Sequence, residues 1–161
     1  MIDLISPTAS HRLHMQRWLT SDHVSRWWGD SESRLAQFDT TSPNNHAMIM
    51  RDGTPVGYLR WNSVSSDTLA TVGLTDIPGG SMDVDIFIGT PYYSGRGIGP
   101  RALAILFDRL RAKTNAPLAG LCTSVDNARA HAAFRKAGCR NMTDFEDPEY
   151  GQCLVFTHAL H

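Results

Sequence analysis

The stretch Met82–Lys113, MDVDIFIGTPYYSGRGIGPRALAILFDRLRAK, decides how this chain folds. It opens with the period-two pattern of a β-strand, and one face of that strand is wholly apolar and predicted to belong to the core: Met82, Val84, Ile86 and Ile88. Its last part carries apolar residues at helical spacing: Leu103, Leu106, Phe107 and Leu110. A glycine-rich loop joins the two. The stretch therefore predicts a strand, a loop and a helix in succession.

The junction between this loop and this helix predicts an anion-binding site. The first N–H groups of a helix have no partner inside the helix, and the helix dipole places partial positive charge at the same end. Such an end is a ready site for phosphate groups. Pro100 suits the first turn of the helix, where its missing N–H costs little.

Three kinds of phosphate site compete for this loop. A Walker loop requires Lys-Ser or Lys-Thr after its glycines, and neither pair stands here. Gly97–Ala102 spells G-x-G-x-x-A, the dinucleotide motif, but eight residues (Gly89–Arg96) separate it from the strand. The next predicted strand, Leu118–Cys122, also ends without the carboxylate that a dinucleotide site uses. The third kind is a site for the pyrophosphate of coenzyme A.

Two segments resemble the GNAT superfamily of N-acetyltransferases. The loop is similar to the family's acyl-CoA signature, [QR]-x-x-G-x-[GA], with Gly97 and Gly99 at the glycine positions and Ser94 where Gln or Arg is usual. Asn127–Cys139 is similar to the family's N-x-x-A-x-x-x-Y-x-K-x-G-F helix, with Phe134 in place of Tyr and Cys139 in place of Phe.

Further segments resemble the aminoglycoside 6'-N-acetyltransferase branch of that family: Trp18–Leu19, Arg26–Gly29, Gly53–Tyr58 and Asp85–Gly89. The resemblance implies an α/β (α+β) fold with a mixed, mostly antiparallel central sheet of about six to seven strands, flanked by about four helices. It implies one such domain over residues 1–161. It also implies an acetyl-CoA-dependent acetyltransferase, in a branch tied to antibiotic resistance.

Asp85 is the predicted catalytic residue. Asp83, Asp85 and Phe87 share the second face of the strand, and a carboxylate in mid-strand indicates a face that meets water. Acyl transfer to an amine requires a base that removes a proton from an ammonium group. The resemblance implies that Asp85 is that base and also an electrostatic anchor for a cationic acceptor. Asp83 is a weaker second candidate.

The resemblance also implies a set of donor-binding residues. Phe87 and Ile88 would offer backbone groups to the pantetheine arm. The loop residues Gly95, Arg96, Gly97, Ile98 and Gly99 would bind the pyrophosphate, Arg96 by its charge. Asn127 would cap its helix and contact the donor. Phe134 would pack on the pantetheine, but it cannot protonate the leaving thiolate as a Tyr can.

The acceptor site is predicted from aromatic and acidic residues. Trp27 and Trp28 would wall the pocket, although core packing for one of them is the alternative. If the last loop folds over the pocket, five carboxylates would bind a polycation such as an aminoglycoside: Asp83, Asp85, Glu146, Asp147 and Glu149. Other small amines (a polyamine or a siderophore precursor) and a non-catalytic acyl-CoA-binding sensor are the alternatives.

Composition and charge narrow the classes of partner and location that this chain can have. The 161 residues carry a net charge of −1 and no basic run, which argues against a nucleic-acid partner. No apolar stretch is long enough for a membrane span, and we expect no secretory signal peptide from the first residues of this sequence. Three widely separated cysteines predict free thiols in the cytoplasm. We expect no metal, and a monomer or homodimer.

Outside this stretch, local patterns predict the remaining elements. Thr8 begins a helix with Leu13, Met15, Trp18 and Leu19, and a second helix ends at Gly29. Residues 30–45 predict either a weak helix or a mobile flap. Residues 47–51 and 54–64 predict a hairpin, residues 69–74 a short strand, and residues 139–145 and 152–158 a closing hairpin.

Overall fold

The computed structural model describes residues 1–161. Its strands are β1 (Ile2–Ile5), β2 (His46–Arg51), β3 (Thr54–Val64), β4 (Ser81–Ile88), β5 (Leu118–Ser124), β6 (Arg140–Asp147) and β7 (Gly151–Ala159). Its helices are α1 (Arg12–Thr20), α2 (Asp22–Trp28), α3 (Ser31–Thr40), α4 (Ser66–Thr71), α5 (Ile98–Lys113) and α6 (Ala128–Lys136). Short 3₁₀ turns lie at Ala9–His11 and Pro91–Tyr93. No helix has the length and apolar character that crossing a membrane requires.

The seven strands form one sheet in the order β1-β2-β3-β4-β5-β7-β6. The pairs β1–β2, β2–β3, β5–β7 and β6–β7 are antiparallel, whereas β4 and β5 are parallel. A mixed, mostly antiparallel sheet with helices is the predicted fold class, and it is confirmed. The helices number six rather than about four, since α3 and α4 are regular helices.

The chain forms two compact units. The first comprises residues 1–60 and 86–102, and the second comprises residues 61–85 and 103–161. The strands β3 and β4 and the helix α5 therefore contribute residues to both units.

The core of the first unit is an aromatic and methionine-rich cluster. Its buried members are Met15, Trp18, Leu19, Val24, Phe38, Met48, Met50, Tyr58 and Phe87. Phe38 lies on α3, which Asp30 caps by accepting a bond from the N–H of Ser33. Residues 30–45 therefore contain a packed helix rather than a flap.

Burial along β4 corrects the sequence-based assignment of its faces. Val84 is 1% exposed, as predicted, but Met82, Ile86 and Ile88 are only partly buried. Phe87, predicted to share the face of the two aspartates, is 7% exposed and belongs to the core cluster of the first unit. The alternation of the sequence could not show this, because the covering residues come from distant helices.

The second unit has its core under α5, α6 and β7. The predicted apolar stripe of α5 is buried, and Phe107 stacks on His158 at a ring distance of 4.4 Å. The predicted strand at residues 69–74 is wrong: Ser65 caps α4 by accepting from the N–H of Thr68, and Leu69 packs with Ile77 and Val155. Both predicted hairpins, 47–64 and 139–158, are present.

Candidate functional site

The loop between β4 and α5 has the backbone conformation of an open cradle. Gly95 and Gly97 have φ angles of +73° and +77°, a region that favours glycine. A Cβ atom built on either residue meets no atom within 4 Å. α5 then begins at Ile98, so its first N–H groups follow directly. The space beside the two glycines is therefore available to a ligand that the helix N-terminus attracts.

Arg96 lies in the same loop and is held there by Tyr92. Its Nε donates a hydrogen bond to the carbonyl of Tyr92 at 2.6 Å. Its guanidinium carbon lies 4.4 Å from the centre of the Tyr92 ring, within the range of a cation–π contact. The predicted cation of the loop is therefore oriented by an aromatic neighbour rather than extended freely into water.

The end of β4 presents its backbone in two directions. The N–H of Gly89 donates to the carbonyl of Val56 on β3 at 2.7 Å. Because successive residues of a strand direct their backbone groups to opposite sides, the groups of Ile88 point away from β3. The carbonyl of Ile88 instead accepts from Nε2 of His23 at 3.1 Å. Phe87 and Ile88 were both predicted to bind the pantetheine. Of these two residues, Ile88 is the one whose N–H points away from β3 and is not used in pairing with that strand.

His23 contacts the end of β4, although no motif in the sequence predicted it. It lies in α2 and is 65 residues from its partner Ile88, so no local pattern could identify the contact. His23 also lines an open cleft of about 700 Å³ in the first unit, with Trp18, Thr90 and Tyr93 among the other lining residues.

The two tryptophans predicted as an acceptor wall are in different environments. Trp28 packs edge-to-face on Phe87 at 4.9 Å and contacts the core cluster. Trp27 is partly exposed, and the guanidinium of Arg26 lies 4.9 Å from its ring. Arg34 takes the equivalent place on Trp28 at 5.4 Å. Each indole therefore already has one cation on its ring.

Three carboxylates act on one thiol in the second unit. Asp83 pairs with Gly120 in the parallel register of β4 and β5, and Cys122 lies two residues further along β5. The pKa of Cys122 lies well above its usual range, first because the thiol is buried and then because Asp83, Asp147 and Asp85 disfavour a further negative charge; Cys153 adds to the effect. This group of carboxylates is called the acidic face below. Cys122 itself stays a neutral thiol.

Asp147, rather than Glu149, is the hairpin carboxylate that acts on Cys122. Asp147 accepts from the N–H groups of Glu149 and Tyr150 at 2.8 and 2.9 Å, which fixes its orientation. Glu149 is exposed in the turn between β6 and β7, and it does not contribute to the pKa shift of Cys122. Asp83 is exposed, whereas Asp85 is partly buried.

Asn127 and Phe134 have clear structural roles. Oδ1 of Asn127 accepts from the N–H of Ala130 at 3.3 Å, so Asn127 is the predicted cap of α6. Its Nδ2 donates to the hydroxyl of Thr123 at 3.1 Å. Phe134 is 5% exposed and packs on Phe156 with ring centres 5.5 Å apart. Phe134 therefore belongs to the core of its unit.

Comparison with known families identifies a domain over most of the chain. The family model described as an acetyltransferase (GNAT) domain matches residues 8–146.

Solved structures with the same fold include aminoglycoside acetyltransferase AAC(6')-Ib in complex with coenzyme A. It is 18% identical, covers 99% of this chain and 95% of its own, and has a TM-score of 0.82. Aminoglycoside N(6')acetyltransferase from Legionella pneumophila is 16% identical with a TM-score of 0.74, covering 99% of this chain and 92% of its own. A GNAT-family acetyltransferase from Bacillus anthracis is 9% identical with a TM-score of 0.79, covering 99% and 95%. At these identities the likeness concerns the fold.

Proposed function

This chain belongs to the GNAT family of acetyltransferases, and from that membership we propose that it transfers the acetyl group of acetyl-CoA to a primary amine of a small cationic acceptor. The acidic face is the observation that supports a cationic acceptor. Asp83, Asp85 and Asp147 all raise the pKa of the Cys122 thiol, so each of these negative charges acts in the neighbourhood of that thiol. Such a surface attracts an ammonium group and repels anionic acceptors.

The cradle at Gly95 and Gly97 is the proposed binding place of the donor pyrophosphate. Its fit rests on the open space where a Cβ would stand at both positions, and on the N-terminus of α5 that follows. Glycine permits the phosphate oxygens to approach the backbone N–H groups closely. Ile98 and Gly99 continue these N–H groups into the first turn, and the N–H of Ile88 is the proposed donor to the pantetheine arm.

Asp85 is the proposed general base. A protonated amine is not nucleophilic, so one proton must leave the acceptor nitrogen before or during attack on the thioester carbonyl. Asp85 accepts this proton, the nitrogen forms the new bond to the acetyl carbon, and the carbon–sulfur bond breaks. Asp83 and Asp147 stabilise the positive charge of the acceptor beside it.

The leaving thiolate must gain a proton that Phe134 cannot give. The Phe134 ring has no acidic hydrogen and is buried against Phe156. Cys122 is a poor donor because its pKa is raised. We therefore propose that the second proton, which the amine nitrogen loses as the amide forms, reaches the thiolate through water. The reaction then balances as an acetylated amine, free coenzyme A and the one proton taken up by Asp85.

Aminoglycosides are the proposed acceptor class. These polycations need several carboxylates around one binding place, and the acidic face supplies three. The AAC(6')-Ib fold, which is similar to this one, has been solved with coenzyme A and kanamycin. Acetylation removes a positive charge from such a drug, which is the chemical basis of antibiotic resistance. We place the reaction in the cytoplasm, since Cys122, Cys139 and Cys153 are free thiols.

A thiol-release assay with acetyl-CoA and a panel of amines tests this function. The panel contains aminoglycosides with and without a 6'-amino group, a linear polyamine and a diamino acid. Thiol release that requires the 6'-amino group supports the proposal. Thiol release with the polyamine alone would show that the acceptor is a polyamine and not an aminoglycoside. Acetyl-CoA binding without release from any amine indicates a sensor, which the buried Phe134 would explain.

A further inference from the structure

Tyr92 is an exposed aromatic side chain beside the proposed donor cradle. It is 66% exposed and is the one aromatic residue among the large hydrophobic side chains at the surface. It lies in the 3₁₀ turn Pro91–Tyr93, three residues before Gly95. Aromatic rings of this size usually bury most of their surface, so an open ring next to a ligand site is a candidate contact.

The Tyr92 ring is held in place although it is exposed. The guanidinium of Arg96 stacks on it at 4.4 Å, and Nε of Arg96 binds the Tyr92 carbonyl at 2.6 Å. The ring of Tyr93 meets it edge-to-face at 4.9 Å and 87°. Arg51 lies 5.8 Å from the Tyr93 ring in turn. A ring that is already ordered loses little conformational entropy when a ligand stacks on it.

We propose that Tyr92 is the stacking platform for the adenine base of the donor, with Arg96 as the residue that positions it. This inference rests on the proposed binding of acetyl-CoA at Gly95 and Gly97. In coenzyme A one ribose separates adenine from the pyrophosphate, so the base must lie near the cradle. The five residue-to-residue steps from Tyr92 to Gly97 span at most about 17 Å, so the Tyr92 ring lies within that distance range of the cradle.

The chemistry of the platform suits a purine. Base–aromatic stacking depends on the π-face of the base, and a cation on the ring adds to the attraction. Arg96 also places a positive charge near the 3'-phosphate that the ribose of coenzyme A carries. Tyr92 therefore would recognise the part of the donor that the glycine cradle does not contact.

Calorimetric titration of three donors separates this role from that of the cradle. The donors are acetyl-CoA, acetyl-dephospho-CoA, which lacks the 3'-phosphate, and acetyl-4'-phosphopantetheine, which lacks the adenosine, its 3'-phosphate and one of the two phosphates of the pyrophosphate. The variants are Tyr92→Ala, Tyr92→Phe and Arg96→Lys, with Leu13→Ala as a control because Leu13 is also exposed, at 53%, and lies on α1.

Tyr92→Ala is expected to weaken acetyl-CoA and acetyl-dephospho-CoA about five- to a hundredfold, the range typical of a lost base–aromatic stack. Its affinity for acetyl-4'-phosphopantetheine should not change. Tyr92→Phe should bind all donors as the unaltered protein does, because the ring remains. Arg96→Lys keeps the charge but not the planar stack, so it should weaken only the two adenosine-containing donors. Leu13→Ala should change none.

An equal loss for all three donors in Tyr92→Ala would overturn the inference, because Tyr92 would then act on the loop and not on the base. Unchanged affinities would overturn it as well. A failure of the proposed function would look different from a failure of the Tyr92 proposal, because the unaltered protein would then bind none of the three donors. If it binds acetyl-CoA and acetyl-4'-phosphopantetheine equally, the donor site stands and the adenine platform does not.

Discussion

Nε2 of His23 lies 3.1 Å from the carbonyl oxygen of Ile88. This bond connects α2 to the last residue of β4, where we propose that the donor arm binds. Because the carbonyl of Ile88 is already a hydrogen-bond acceptor for His23, its N–H is the group left for the donor. The contact therefore links the position of α2 to the proposed donor site.

Replacing His23 by Ala is expected to raise the KM for acetyl-CoA with a smaller effect on kcat. Loss of this hydrogen bond should cost about 0.5–1.5 kcal/mol of stability. His161→Ala is the matched control, since Nε2 of His161 also binds a backbone carbonyl, that of Thr114 at 2.8 Å. Steady-state kinetics and thermal melts of both variants test this. A KM that rises equally in His161→Ala would remove the special role of His23.

Gly97→Ala is expected to abolish most of the thermal stabilisation that acetyl-CoA gives. The added Cβ stands in the space proposed for phosphate oxygens, and the φ of +77° strains any other residue by roughly 1–2 kcal/mol. Gly73→Ala controls for strain, because Gly73 has a φ of +76° and equally open surroundings. Both variants should melt lower, but Gly73→Ala should keep the full ligand-induced shift. A full shift in Gly97→Ala as well would place the phosphates elsewhere.

Asp85→Asn is expected to reduce kcat by roughly 10²–10⁴, the usual contribution of a general base. The amide keeps the size of the side chain but accepts no proton, so the acidic limb of the pH–rate profile should flatten. Acetyl-CoA affinity should stay unchanged. Asp83→Asn is the comparison: it should raise the acceptor KM without the loss in kcat. Near-normal turnover in Asp85→Asn would transfer the role of base to Asp83 or to water.

Acid is expected to destabilise the protein through His46. Burial first, and then the charge of Arg60, lowers the pKa of His46 in the folded state below its usual value of 6.5. The unfolded state therefore binds the proton better, so the stability is complete above about pH 6.5 and is lost as the pH falls through this value. His46→Gln should show a flatter dependence between about pH 7.5 and about pH 5.5 in denaturant titrations. An unchanged slope would assign the dependence to the other histidines.

Gly57→Ala is expected to destabilise the protein by about 1–3 kcal/mol, whereas Gly120→Ala should be close to neutral. A Cβ at Gly57 would lie 2.5 Å from the carbonyl oxygen of Phe87, and a backbone atom cannot rotate away. At Gly120 the nearest atom is 3.9 Å distant, which is ordinary contact. Both residues lie in strands, so chemical denaturation of the pair isolates the clash. Equal stabilities would show that β3 and β4 can separate at low cost.

The local sequence pattern was sufficient to predict the glycine loop before α5 and the residue that caps α6. Gly97 precedes a helix whose stripe, Leu103 to Leu110, is visible at a spacing of three and four residues, and helix ends impose the same backbone requirements in every protein. Asn127 could be predicted as a cap because capping depends on the next three residues only. Pattern was insufficient at residues 69–74, where an apolar segment is equally compatible with a strand or a short helix.

The sequence by itself determined the order of strand, loop and helix from Met82 to Lys113, the glycines of the cradle and the resemblance to one family. These depend on periodicity and on backbone constraints, which act between near neighbours in the chain. Only the tertiary structure decided that Phe87 is core, that His23 binds Ile88, and that Asp147 rather than Glu149 joins Asp83 and Asp85 near Cys122. Burial and charge proximity depend on residues far apart in the sequence, and the fold alone brings those together.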